Sequence, residues 1–170
     1  MTLQQSGHRA DTASVNDVGS TLARVRFAVL WLIAGCALAG TMAVFFYEPG
    51  VLKEGVAGVM EGDPVTMGTA LLNAAMVALP LAVATVTLFL PARAGGIANL
   101  VVGVPLGAFG LFAVVNHLAQ GAWHAHLTLA ALATAIAWLI VALSITELRR
   151  LSHRGAASAS AGIDAAARGG

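Results

Sequence analysis

Apolar residues in this chain gather into four unbroken stretches, at about residues 27–47, 67–90, 96–118 and 127–148. Each is about twenty residues long, the length an α-helix needs to cross the hydrocarbon core of a bilayer. None alternates apolar and polar positions over about ten residues, as the strands of a membrane barrel would. The pattern predicts an all-α integral membrane protein, with four transmembrane helices in an antiparallel bundle. It divides the chain into a polar N-terminal tail over 1–23, a transmembrane domain over 24–150 and an Ala/Ser/Gly-rich tail over 151–170. The first tail has no sustained apolar face to bury and is expected to be disordered. The second is expected to be flexible.

The loop between the first two stretches has a pattern of its own. Val51, Leu52, Val56, Val59 and Met60 recur at helical spacing, opposite Lys53, Glu54 and Glu61. Glu48-Pro49 resembles a helix start, because proline is tolerated at the first helical position. A short interfacial helix in the outer headgroup layer fits, although Gly55, Gly58 and Gly62 weaken it. Asp63-Pro64 or Thr66 is expected to cap the entry into the second span.

Composition names the solvent. Hydrophobic residues make up 58% of the chain and charged ones 10%, with a mean hydropathy of +0.84. A soluble domain carries about 25% charged residues, so this chain could not clothe a surface facing water. The charges that remain are sorted by side. Arg9, Arg24 and Arg26 precede span one, Arg93 lies between spans two and three, and Arg149, Arg150, Arg154 and Arg168 follow span four. Only Lys53 falls on the opposite side. Basic residues near span ends stay in the cytoplasm, so Arg24, Arg26, Arg93, Arg149 and Arg150 act as topology determinants and both termini face inward. Membrane lipid is the partner this implies, since each arginine beside the membrane attracts anionic lipid by about 1 kcal/mol. A second copy or another membrane protein is an open alternative, and nothing points to nucleic acid.

Chemistry-bearing residues are few. Cys36 is the one cysteine, which rules out redox relays built on cysteine pairs within one chain. Leu32-Ile33-Ala34-Gly35-Cys36 matches a lipoprotein cleavage motif, but apolar residues continue through Tyr47 and favour a retained helix. His117, His124 and His126 cluster on the outer side around Trp123, with Glu48, Glu54, Glu61 and Asp63 on the same side. They are the candidate metal ligands, but without a recognised ligand spacing. Asn73, Asn99 and Asn116 are intramembrane polar groups suited to interhelical hydrogen bonds. No ionisable residue falls at depth, which argues against a proton-coupled pump. Gly103, Gly107 and Gly110, and Ala133 with Ala137, repeat the small-residue spacing that lets helix backbones approach. Pro80 and Pro105 lie in mid-span and are expected to kink their helices.

Several segments together resemble a family of small four-helix bacterial membrane proteins known only as a domain of unknown function. They are Leu30-Trp31-Leu32, Tyr47-Glu48-Pro49-Gly50, Gly58, Leu71-Leu72, Pro80, Leu90-Pro91-Ala92-Arg93 and Asn99. The resemblance covers about residues 25–148 and implies this topology, in the bacterial plasma (inner) membrane, with no established activity. Members are expected to carry Asn, Tyr and Asp in the first span, where this chain has Ala37, Gly40 and Met42. Any function resting on those polar groups would be missing here.

These readings favour a multi-pass membrane protein with a structural, binding or accessory role, without enzyme activity and without a cofactor. The alternatives are a small oligomeric transporter of an unidentified solute and a metal- or haem-binding membrane redox protein. The latter needs histidines paired across helices at depth, which the sequence does not supply.

Overall fold

The computed structural model describes residues 3–60, 63–121 and 124–169; Glu61 and Trp123 lie outside them. Helix α1 runs Leu3–Phe46, α2 Val51–Val56, α3 Met67–Phe89, α4 Ala92–Ala119 and α5 Ala125–Gly169. A two-residue antiparallel ladder, β1 (Val59–Met60) with β2 (Asp63–Pro64), folds the loop before α3, pairing Val59 with Pro64. Four of the helices contain segments long and apolar enough to cross a membrane: Val18–Phe46, Met67–Phe89, Ala92–Ala119 and Ala125–Ala157.

The boundaries follow local chemistry. Thr66 caps α3, its hydroxyl accepting from the Thr69 amide at 3.1 Å. Leu90 leaves the helical region (φ −73°, ψ 145°), as a residue before proline is driven to do, and Pro91 stands at the N-cap of α4. One feature differs from the sequence pattern, and one pair of alternatives is resolved. Pro49 does not open α2; Gly50, at φ 92°, makes the turn instead, a left-handed conformation that glycine adopts without steric cost. Asp63-Pro64 pairs in the small ladder, leaving Thr66 as the cap.

The tails also differ. α1 extends back to Leu3 and α5 on to Gly169, where the pattern placed disordered and flexible segments. Neither stretch contains proline, and extending a helix from a formed end avoids the cost of nucleation.

In the bundle α3 packs on α1, α1 on α5 and α5 on α4, while α3 and α4 barely meet. Their described contacts gather near the 90–91 turn, where Gly95 lies against Thr87 and Leu90 and Thr87 reaches Asn99. The bundle thus has an arginine end, with Arg26, Arg93 and Arg150, and a histidine end, with Glu48 and His126. Phe27, Trp31, Ala34, Val83, Ala84, Ile136 and Ile140 form the core.

Glycines set the closest approach. A Cβ on Gly103 would stand 3.0 Å from Val141 Cγ2 and 3.7 Å from the Ala137 carbonyl, and one on Gly107 3.1 Å from the Trp138 indole. Gly110 meets Thr134 on the same face. Ala133 and Ala137 are buried, so the small residues join α4 to α5 within one chain. Gly35 does the same for α1 against Pro80 and Leu81 of α3. Pro80 and Pro105 both lie inside unbroken helices.

Outward, the helices present apolar surface: Val101, Phe112 and Leu71 are each more than 60% exposed. Such faces on every span have no place in water. Cys36 sits among these exposed positions on α1. The chain is a multi-pass membrane protein.

Candidate binding cavity and its polar cap

A cavity of about 170 Å³ lies between the four spanning helices in the half nearer the histidine end. α1 contributes Thr41 and Met42, α3 contributes Asn73 and Met76, α4 contributes Phe109 and Ala113, and α5 contributes Ala130 and Thr134. Small side chains create the space: Gly110, Ala113, Ala130 and Ala133 line it where larger residues would fill it. Apolar groups dominate the wall. The Thr41 and Thr134 hydroxyls donate to the carbonyls of Ala37 (2.9 Å) and Ala130 (2.8 Å) on their own helices, so each offers the cavity only acceptor capacity. Asn73 adds an amide able to donate and accept.

His117 and His126 line the cavity at its polar end. Above them Glu48, from the turn after α1, joins α1 to α5. Its Oε1 accepts from the His126 backbone N–H at 3.2 Å and pairs with His126 Nδ1 at 2.9 Å. His124 Nδ1 stands 3.6 Å from Oε2. His126 is the second residue of α5, so Glu48 supplies the negative charge that a helix N-terminus favours. Phe45 packs edge-on against the His126 ring at 5.1 Å.

Burial alone would raise the Glu48 pKa. The hydrogen bonds from the His126 ring and backbone, with the charges of His126 and His124, outweigh burial and hold the carboxyl below its ordinary value. A depressed folded pKa stabilises the fold above the unfolded value and loses that contribution as pH falls through the folded one. The wild-type chain should therefore lose thermal stability on acidification below about pH 4, the ordinary glutamate range. Glu48→Gln should flatten that limb, as followed by circular dichroism melts across pH. An unchanged acid limb in Glu48→Gln would show that the pair does not hold the cap.

The three histidines named from sequence do come together, but as rings. His124 and His126 stack at 5.7 Å, and His117 meets them edge-on at 6.4 and 5.9 Å. Among the described residues, no group of three or more His, Cys, Asp or Glu side chains is placed to hold a metal ion. Asn73 lines the cavity, whereas Asn116 is exposed on α4; the two do not form one polar pair.

Asn99 serves elsewhere. Toward the arginine end from the cavity, the Trp31 indole N–H donates to Asn99 Oδ1 at 2.9 Å, and the Thr87 hydroxyl approaches the same oxygen at 3.4 Å. An indole can only donate, which fixes the orientation of the amide. Trp31, Asn99 and Ser144 are fully buried, and Asn99 Nδ2 and Ser144 Oγ have no hydrogen-bond partner. The residue that pattern reading missed is Trp31; its signal was an indole N–H within a span, which needs an acceptor when buried.

Together these features define a four-span bundle with a mostly apolar cavity under a Glu–His cap. Comparison with protein-family models, with curated proteins and with solved structures gives no match. The resemblance to the four-helix family rests on its short segments alone.

Proposed function

We propose that this chain is a binding component of a membrane, holding a small apolar or weakly amphipathic molecule in the cavity between its four helices. The observation that carries the reading is the cavity itself. All four spans line it, and its polar groups gather toward one end at His117 and His126. An apolar cavity of about 150 Å³ accepts a ring the size of benzene, so 170 Å³ suits a small ring or a short alkyl chain. Leu72 and Phe109, on the two helices that barely touch, line the cavity and remain more than half exposed. That points to entry from the lipid between α3 and α4. On the family resemblance, the membrane would be a bacterial plasma membrane with both termini inside.

Transport of a solute is the second reading. It draws on Pro80 and Pro105, which each leave a carbonyl without its helical partner. The packing around Trp31, Ala137 and Ile140, all fully buried, favours binding, because a solute crossing the bundle would have to part those residues.

A medium-chain alcohol bearing a photoreactive diazirine tests the binding reading on the purified protein. Adducts should concentrate in peptides containing Phe109–His117 and His126–Thr134. Ala113→Phe, which places a ring in the cavity, should reduce them about tenfold while the melting curve stays within a few degrees of wild type. Adducts spread evenly over lipid-facing positions such as Val101 and Phe112, unchanged by Ala113→Phe, would refute it.

A further inference from the structure

At the arginine end α1 and α5 border a second hollow, of about 390 Å³. Arg26 of α1 lines it together with Arg150 and Arg154 of α5, which are four residues apart on one helix face. Glu147 is the one acid among its described lining residues, so the guanidinium groups of Arg26 and Arg150 outnumber it. Glu147 approaches Arg150 only to 3.9 Å, beyond hydrogen-bond distance, and Arg150 is largely exposed. An ion pair of this kind holds its guanidinium weakly. Leu22 and Leu151 make part of the wall apolar, while Gly19 leaves open space where a side chain would begin.

We infer that this hollow binds an anionic phosphate group. Guanidinium groups present planar forks of donors that match phosphate oxygens two at a time. Here such groups converge from two helices. The hollow lies where the apolar run of α5 gives way to Glu147, Arg149 and Arg150, at the level where lipid headgroups sit. The apolar part of the wall can cover a glycerol or acyl stem beneath the phosphate. A phosphatidylglycerol-type lipid and a soluble phosphorylated compound share this chemistry. Arg93 borders a neighbouring hollow with Ile97, Leu148 and Ser152, which shares Leu151 with the first; because Arg93 does not line the first hollow, it is a control of equal charge on the same end. The inference does not depend on what the apolar cavity binds.

The test uses the full chain purified in neutral detergent. Dioleoylphosphatidylglycerol, dioleoylphosphatidylcholine and inorganic pyrophosphate are added separately, and binding is read by native mass spectrometry. Each variant is compared between probes, so a general loss of stability cancels. Wild type should retain the glycerol lipid in preference to the choline lipid. Arg26→Gln/Arg150→Gln should lose about tenfold of that preference, as expected for two charge-assisted contacts. Arg93→Gln should stay within about twofold of wild type, since an arginine outside the hollow offers only screened attraction. Pyrophosphate bound with the same arginine dependence would identify a soluble ligand; dependence seen only with the lipid would identify a headgroup. Two results would overturn the site: no preference in wild type for either anionic probe, or an equal loss in Arg93→Gln and the double variant, which would mean diffuse attraction to a basic end.

Discussion

Asn99→Leu should destabilise the protein by about 2–4 kcal/mol, one of the two largest single-residue effects expected. The substitution keeps the branched shape and the number of heavy atoms, though leucine is bulkier, and removes the acceptor shared by the Trp31 indole and the Thr87 hydroxyl. Both donors are then stranded where Trp31 and Thr87 are buried. A buried donor without a partner costs about 1–3 kcal/mol, and an interhelical hydrogen bond in a membrane contributes about 0.6–2 kcal/mol. Removing Asn99 also removes its own unpartnered Nδ2, which offsets part of the loss and keeps the estimate below the full sum. Trp31→Phe should cost less, because it deletes the donor along with the bond and leaves only spare acceptor capacity on Asn99. The double variant should be less damaging than the two losses added. Denaturant-detergent titrations of the four proteins read the coupling directly. Strict additivity would show that the short Trp31–Asn99 distance carries no energy.

Gly103→Leu should be the second severe change, preventing recovery of folded protein or costing upwards of about 3 kcal/mol. Even a Cβ at Gly103 meets Val141 at 3.0 Å, with the Ala137 carbonyl and the Trp31 ring edge within 4 Å. A backbone carbonyl cannot turn aside as a side-chain terminus can, so α4 would have to back away from α5. In lipid that separation is costly, because close packing rather than water exclusion holds the helices together. Gly103→Ala should be intermediate, since Val141 can give by a few tenths of an ångström. Gly121→Ala is a useful contrast: a Cβ there meets nothing within 4 Å, but the φ of 71° is strained for alanine, so its effect should be modest and confined to the α4–α5 turn. Size-exclusion profiles and melting temperatures of the three variants rank these effects. Gly103→Leu behaving like Gly121→Ala would mean that α4 and α5 are not packed this closely.

The spans were legible because their evidence is local. Four continuous apolar runs, Pro91 after Leu90, and Thr66 ahead of Met67 can be read without knowing what touches what. The helical spacing of Gly103, Gly107 and Gly110 also marked a packing face, although not which helix it meets. What pattern reading missed depends on the order of helices around the bundle. Asn99 finds Trp31 across 68 positions, and Glu48 finds His126 across 78; periodicity carries no information on either pairing. The cavity was less legible still, since it is made by what Gly110, Ala113 and Ala130 lack. A row of small residues reads as close packing until its neighbours are known. Proximity of the three histidines was foreseeable from topology, but their ring-on-ring arrangement was not. In the tails, composition predicts no order, whereas α1 and α5 run on through them.

The Trp31–Asn99–Thr87 contacts tie α1, α3 and α4 toward the arginine end, and the apolar cavity lies toward the other. A bundle fastened this way should behave like a clothes-peg, clamped at the spring and free to spread at the jaws. An occupant of the jaws would be accommodated by the tips of α3 and α4 alone, while the long arms that α1 and α5 extend beyond the clamp would stay still.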